Sequence, residues 1–279
     1  MWIKILKTGE TASIMTQIPE NLPEDKFRAL VQIVEILRSP DGCPWDRKQT
    51  HKSLLPHLLE EAHEVVESVD EENWDELKKE LGDLLMHVVF QASMSKDEEL
   101  FNIDEVLQSV IEKLVRRHPH VFGESHVEDA DEVVKNWEQI KMEEGRTSVI
   151  EGVPKALSGL IRAHRLQQKA AQVGFDWDNI DPVWDKIHEE LDELKEVMKS
   201  GESERVEEEF GDLLFTLVNL SRFMKINPED ALRHSTNKFI RRFHAIEQRV
   251  QDQDLDMNSM SLEELDEHWN EIKLTEKQD

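Results

Sequence analysis

Glu209 and Asp212 stand inside "EEFGDLLF" (208–215), an apolar helical run of the kind that ordinarily excludes charge. Glu80 and Asp83 repeat the arrangement far upstream in "KELGDLLM" (79–86). Each pair follows another acidic group: Glu189, Glu190 and Glu193 before the later pair, Glu60, Glu61 and Glu64 before the earlier one. Carboxylates crowded at the margin of a core repel one another and resist desolvation unless a cation joins them. A hard divalent cation does this well. Mg²⁺ takes oxygen ligands in octahedral geometry and commonly keeps waters or binds phosphate oxygens. A lone E-x-x-D on a helix is usually a solvated face, but here the pair recurs, follows a second acidic cluster and abuts apolar residues both times. A metal site is therefore the expected meaning of the constellation.

Basic residues extend that chemistry. Lys238 and Arg242 are four apart and share a helix face, and Trp269 and Lys273 have the same spacing. Cations beside a metal cluster are what a polyphosphate needs, because they neutralise the oxygens that the metal leaves uncovered. Arg162, Arg165 and Lys169 form a second basic stripe with a weaker claim, and Phe175 and Trp177 are expected in the core rather than stacked on a base. No serine, cysteine or histidine arrangement points to a covalent intermediate, and no GxxxxGK[ST] phosphate loop is present. Glu60 and His63 have the spacing used in di-iron bundles. The later copy carries Asp192 where His63 stands, so the nitrogen ligand is not repeated and that reading is set aside.

The elements that must hold these residues come from a repeat. "HLLEEAHEVVESVD" (57–70) falls on "KIHEELDELKEVMK" (186–199) with a shift of 129, which also carries Glu80 and Asp83 onto Glu209 and Asp212. "CPWD" (43–46) matches "FDWD" (175–178) with a shift of 132, "KLVRR" (113–117) matches "KFIRR" (238–242), and "NWEQIK" (136–141) matches "HWNEIK" (268–273). Conserved order with nearly constant shifts means a duplicated domain. The expected division is an N-terminal extension at 1–20, a first repeat at 21–145, a linker at 146–156 and a second repeat at 157–279. Gly145, Gly152 and Pro154 interrupt the helical pattern across 143–157, around the linker. In the second repeat the periodicity predicts helices over 155–173, 182–198, 204–224, 228–251 and 261–274. Asp181 and Asn227 precede first-turn prolines as expected N-caps, and Ser261 with Glu264 forms an expected capping box. With no useful alternating strand pattern, the expected fold is all-α and bundle-like.

Helix periodicity then aims the carboxylates. On one helix the apolar stripe is Val183, Ile187, Leu191, Leu194 and Met198, with Glu190 and Glu193 on its flank. On the next, Glu209 and Asp212 share a face with Leu213, Thr216 and Leu220. Gly211 is expected to admit a close neighbouring backbone. The two acidic pairs should face each other across an antiparallel hairpin.

Composition excludes several function classes. With a formal net charge of −27 over 279 residues, the chain lacks the basic footprint of a nucleic-acid binder. Its single cysteine, Cys43, permits no internal disulfide and fits a reducing compartment, and no segment has the length and apolarity of a signal peptide or membrane span. A cytoplasmic protein with no nucleic-acid polymer and no membrane as partner is expected.

Together these motifs closely resemble the MazG family of nucleoside triphosphate pyrophosphohydrolases, whose acidic signature E-E-x-x-E then E-x-x-D reads here "EELDE" and "EFGD", and earlier "EEAHE" and "ELGD". "CPWDRKQTHKSL" (43–54) and "KAAQVGFDW" (169–177) resemble the two-domain bacterial members, and the likeness runs from about residue 21 onward. The resemblance implies an all-α pyrophosphatase fold of tandem MazG-like domains that assemble as a homodimer. It implies hydrolysis of ribo- and deoxyribonucleoside triphosphates to monophosphate and pyrophosphate with Mg²⁺, Mn²⁺ being a substitute. Carried over, Glu190, Glu193, Glu209 and Asp212 are the expected metal ligands, and Lys238, Arg242, Trp269 and Lys273 hold the nucleotide and its phosphates. Glu189 is the expected base or outer-shell group. Matching positions in the first repeat are Glu61, Glu64, Glu80, Asp83, Lys113, Arg117, Trp137 and Lys141, a candidate second site. The preference for the second repeat rests on the family alone. The competing reading is a helical dimerisation module that binds nucleotide, or regulates a protein partner through its acidic surface, without turnover.

Overall fold

The computed structural model describes residues 21–145 and 147–276, so the N-terminal extension expected at 1–20 lies outside them. All regular elements among the described residues are helical, as expected. The chain divides into two compact units, one ending at His126 and the other beginning at Val127. In the first unit are α1 (Lys26–Arg38), α2 (Leu55–Asp70), α3 (Trp74–Asp97), α4 (Ile103–Arg117) and the single turn α5 (Pro119–Phe122). In the second are α6 (Ala130–Glu143), α7 (Gly159–Ala171), α8 (Asp181–Ser200), α9 (Ser203–Phe223), α10 (Pro228–Asp252) and α11 (Leu262–Thr275). Short 3₁₀ turns at Asp46–Lys48 and Met257–Ser259 complete the set. The repeat boundary at 146–156 concerns sequence correspondence, whereas this division follows contacts and groups α6 with the second unit.

Local chemistry sets most helix ends. Asn227 caps α10 by accepting from the Glu229 and Asp230 backbone N–H groups, and Ser261 and Glu264 form the expected capping box on α11. Asp181 is not the cap of α8. It is already helical, and the Asn179 side chain accepts from its N–H at 3.0 Å. α7 begins at Gly159 rather than 155 because Ser158 accepts from the Ile161 N–H and caps it there. Gly201, at φ 74°, ends α8 in the left-handed region and allows a two-residue return into α9.

That hairpin carries the core of the second unit, with Val183, Ile187, Leu213 and Leu220 buried and Leu191, Leu194 and Phe223 packed beside them. The buried stripe of α8 ends on Val197, while Met198, expected in it, is 64% exposed. Alternating steps of four and three along a 3.6-residue helix give Val183, Ile187, Glu190, Leu194 and Val197. Glu190 thus lies within the stripe rather than on its flank. Gly211 also departs from expectation: a Cβ placed there meets nothing within 4 Å, as at Gly82. The close packing of α9 is made by Leu213, Thr216 and Leu220, and Gly211 points some 200° away from Leu213.

Ile187 is 5% exposed at the centre of this core. Ile187→Ala should lower stability by about 2–5 kcal/mol in denaturant unfolding, through lost burial and the cavity left behind. A loss below about 1 kcal/mol would show that α8 is not anchored there.

Candidate active site

α8 and α9 lie side by side and bring three acids together. One carboxylate oxygen each from Glu190, Glu193 and Glu209 falls within a sphere where all lie no more than 4.8 Å apart. Glu190 is buried, Glu209 half-buried and Glu193 exposed, so the cluster has an inner wall and an open mouth. Lys186, one turn before Glu190, donates to Glu189 Oε1 at 2.8 Å and to Glu190 Oε1 at 2.7 Å. These bonds, Glu189 first and Glu190 second, raise the ammonium pKa above its ordinary value. Burial, and then repulsion from Glu193, Glu190 and Asp212, pushes the Glu209 carboxyl up. Asp212, the fourth expected ligand, is exposed and stands outside this trio. It opens instead onto an adjoining hollow of about 350 Å³ with Lys186, Glu190, Thr216, Asn219 and Trp177.

The first unit builds the same trio from α2 and α3: Glu61, Glu64 and Glu80 converge within 4.8 Å, with Glu61 and Glu80 buried. Burial pushes Glu80 up to about 7, helped by Glu61 and Glu64, and raises Glu61 as well. Asp83, again outside the trio, is raised chiefly by burial. The position of Lys186 is taken here by His57, which faces Glu60 at 3.6 Å. Convergent, partly buried carboxylates fit a hard divalent cation in both units, since the donors are all oxygen and three acids meet in each.

The expected phosphate-binding residues gather on α10 and α11. The Arg242 guanidinium lies 5.5 Å from the Trp269 ring centroid and pairs with Glu276 at 2.7 Å, while Phe239 packs on the other reach of Trp269 at 5.4 Å. Lys238 is exposed and Lys273 half-buried. In the matching positions, Lys113 and Arg117 lie on α4 of the first unit, and on α6 of the second Lys141 sits 5.1 Å over the Trp137 ring. Lys169 leaves the expected α7 basic stripe: it is 4% exposed and donates to the Val149 carbonyl at 3.2 Å. Phe175 and Trp177, expected in the core, are 81% and 40% exposed. Their segment follows α7 as a loop, which leaves the rings largely open to solvent.

A model of the MazG nucleotide pyrophosphohydrolase domain matches residues 49–122 and 182–246, which span the two carboxylate hairpins and the helix after each. The nucleoside triphosphate pyrophosphohydrolase/pyrophosphatase MazG of Thermotoga maritima is 47% identical over 250 residues, covering 88% of this chain and 95% of the relative. The chain belongs to the MazG family. The nucleoside triphosphate pyrophosphohydrolase of Escherichia coli strain K12 is 41% identical over 254 residues, 88% of this chain and 97% of its own length. An uncharacterised Bacillus subtilis protein, YabN, is 45% identical over 262 residues, but the match spans 54% of it, so a MazG region of this kind also occurs within a longer chain. Sequence reasoning had passed over Lys186 in this MazG chain. Its signal was the spacing of three and four residues to Glu189 and Glu190, which puts all three on one helix face.

Proposed function

We propose that the chain is a Mg²⁺-dependent hydrolase that cleaves ribo- and deoxyribonucleoside triphosphates between the α and β phosphorus, mainly through its second repeat. The observation that carries this reading is the open-mouthed trio of Glu190, Glu193 and Glu209 beside Lys186, in a family whose relatives from T. maritima and E. coli are named for nucleoside triphosphate pyrophosphohydrolysis. Glu190, Glu193 and Glu209 hold the cation, with Asp212 joining from the adjoining hollow and Mn²⁺ able to replace Mg²⁺. Bound there, the cation would offset phosphate charge and lower the pKa of the attacking water.

The chain's own residues supply the rest. Lys186 contacts both Glu189 and Glu190, and Glu189 serves as the proton acceptor for that water. Lys238, Arg242 and Lys273 take the charge of the phosphates, and the Arg242 guanidinium lies over the Trp269 ring. Phe210, Leu217, Leu232 and Phe239, exposed on α9 and α10, are read as surface that a second copy of the chain covers in a homodimer. The single cysteine fits a reducing cytoplasm.

Incubation with a panel of nucleoside triphosphates and Mg²⁺ should yield monophosphate and pyrophosphate in equal amounts, with no orthophosphate. Orthophosphate as the product would move the cleavage to the γ phosphorus. Retention of triphosphate by folded, metal-loaded protein without turnover would sink the hydrolase reading in favour of a binding module.

A further inference from the structure

Below its acidic trio the first unit carries two imidazoles where the second carries an ammonium and a hydroxyl. In the second unit Lys186 of α8 and Thr216 of α9 line one hollow together with Glu190 and Asp212. The shift of 129 puts His57 of α2 at the position of Lys186, Asp83 at that of Asp212 and His87 of α3 at that of Thr216. Descending the α2–α3 hairpin from its turn, the facing pairs are therefore Glu64 with Glu80, Glu61 with Asp83 and His57 with His87. The Trp45 ring centroid stands 6.3 Å from that of His57, just as Trp177, which matches Trp45, joins the wall of the hollow in the second unit.

His87 points to a ligand. It is 3% exposed, and its Nδ1 is enclosed without a hydrogen-bond partner, a condition that buried polar atoms rarely tolerate. Asp83, four residues earlier, shares its face of α3. Burial, and then the His57 imidazole, pushes the His87 pKa down while Asp83 draws it up, so the three groups are electrostatic neighbours. His57 has its Nδ1 towards Glu60 at 3.6 Å. Two imidazoles and one carboxylate make a donor set unlike that of the trio. Imidazole nitrogen suits Zn²⁺, Fe²⁺ and their neighbours, whereas Mg²⁺ takes oxygen. The trio of Glu61, Glu64 and Glu80 shares no member with it.

We propose that His57, Asp83 and His87 form a separate metal site in the first unit, one that takes a transition-metal dication of the Zn²⁺ class. His87 ligates through Nδ1, which thereby gains the partner it lacks, and a fourth position is left for water. The three ligand atoms are not gathered within the 4.8 Å that spans the trio, so binding requires the imidazoles to turn about their side-chain bonds. The second unit has no counterpart, because Lys186 brings a positive charge to the position of His57 and Thr216 no nitrogen to that of His87. The site does not depend on turnover at the second repeat.

The test is Co²⁺ binding to the full chain, stripped of metal and held in millimolar Mg²⁺ so that the carboxylate trios keep a hard ion. Wild type should bind one Co²⁺ per chain with the strong visible absorption of a four- or five-coordinate site, and Zn²⁺ should displace it. His57→Lys and His87→Thr each install the residue of the second repeat, and each should weaken Co²⁺ by at least about 100-fold. The reciprocal variant, Lys186→His with Thr216→His, should bind two Co²⁺ per chain, which keeps the donor set testable even where a histidine variant does not fold. Wild-type absorption no stronger than that of aqueous Co²⁺, or abolished by Mg²⁺, overturns the site. So does an unchanged Co²⁺ affinity in either folded histidine variant, or a single Co²⁺ in the folded reciprocal variant.

Discussion

Glu190→Gln should lower pyrophosphate release by about 10²–10³-fold, with the helical content of the protein unchanged. Glutamine has the shape of glutamate, so packing against Ile187 and Leu194 survives. What is lost is the charge on the most enclosed member of the trio, 4% exposed and in direct contact with Lys186. The ammonium then keeps only Glu189 and repels a divalent cation that fewer carboxylates hold. Raising Mg²⁺ should recover part of the rate, because the defect includes affinity for the cation. A rate within about threefold of wild type at low Mg²⁺ would remove Glu190 from the machinery.

The same substitution in the first repeat discriminates between the copies. Glu61→Gln, at the matching position, should leave pyrophosphate release within about twofold on our proposal that the second repeat carries the reaction. Equal losses in both variants would mean two working sites, or two sites coupled through the assembly. The carboxylate positions recur in both copies, though two of the trio are buried in the first and one in the second. A further asymmetry lies in a neighbour, Lys186 against His57.

Periodicity was enough to place α8 through α11 within a few residues, because amphipathic stripes and caps such as Asn227 and Ser261 are local signals. The acidic hairpin was legible for the same reason: residues three and four apart on a helix share a face whatever surrounds them. Failures occurred where the answer depends on what faces a residue. Lys169 looks like a surface cation by spacing, yet a carbonyl twenty residues earlier in the chain receives its ammonium. Phe175 looks like a core residue by type, yet it stands on a loop and is 81% exposed.

In the metal-free protein, raising the pH from about 4.5 to 8 should weaken the first unit, and Mg²⁺ should restore it. Glu80 has its pKa raised from 4.5 to about 7 in the folded chain by burial, by its hydrogen bond with Glu61 and by the Glu64 and Glu61 charges, and Glu61 shifts in the same direction. An acid whose folded pKa exceeds its unfolded one favours the folded state while it is protonated. That contribution is complete below the unfolded value near 4.5 and is lost as the pH rises through about 7. The two glutamates titrate as a coupled pair. At roughly 1.4 kcal/mol per pKa unit the loss is on the order of 1–3 kcal/mol, or several degrees of melting temperature for a unit of this size. Glu80→Gln is neutral at every pH, so its metal-free melting temperature should match wild type near pH 4.5, exceed it near pH 8 and gain less from Mg²⁺. The reverse ordering at pH 8, with the variant melting below wild type in the presence of a chelator, would show that the Glu80 charge stabilises the folded chain and that the trio needs no cation.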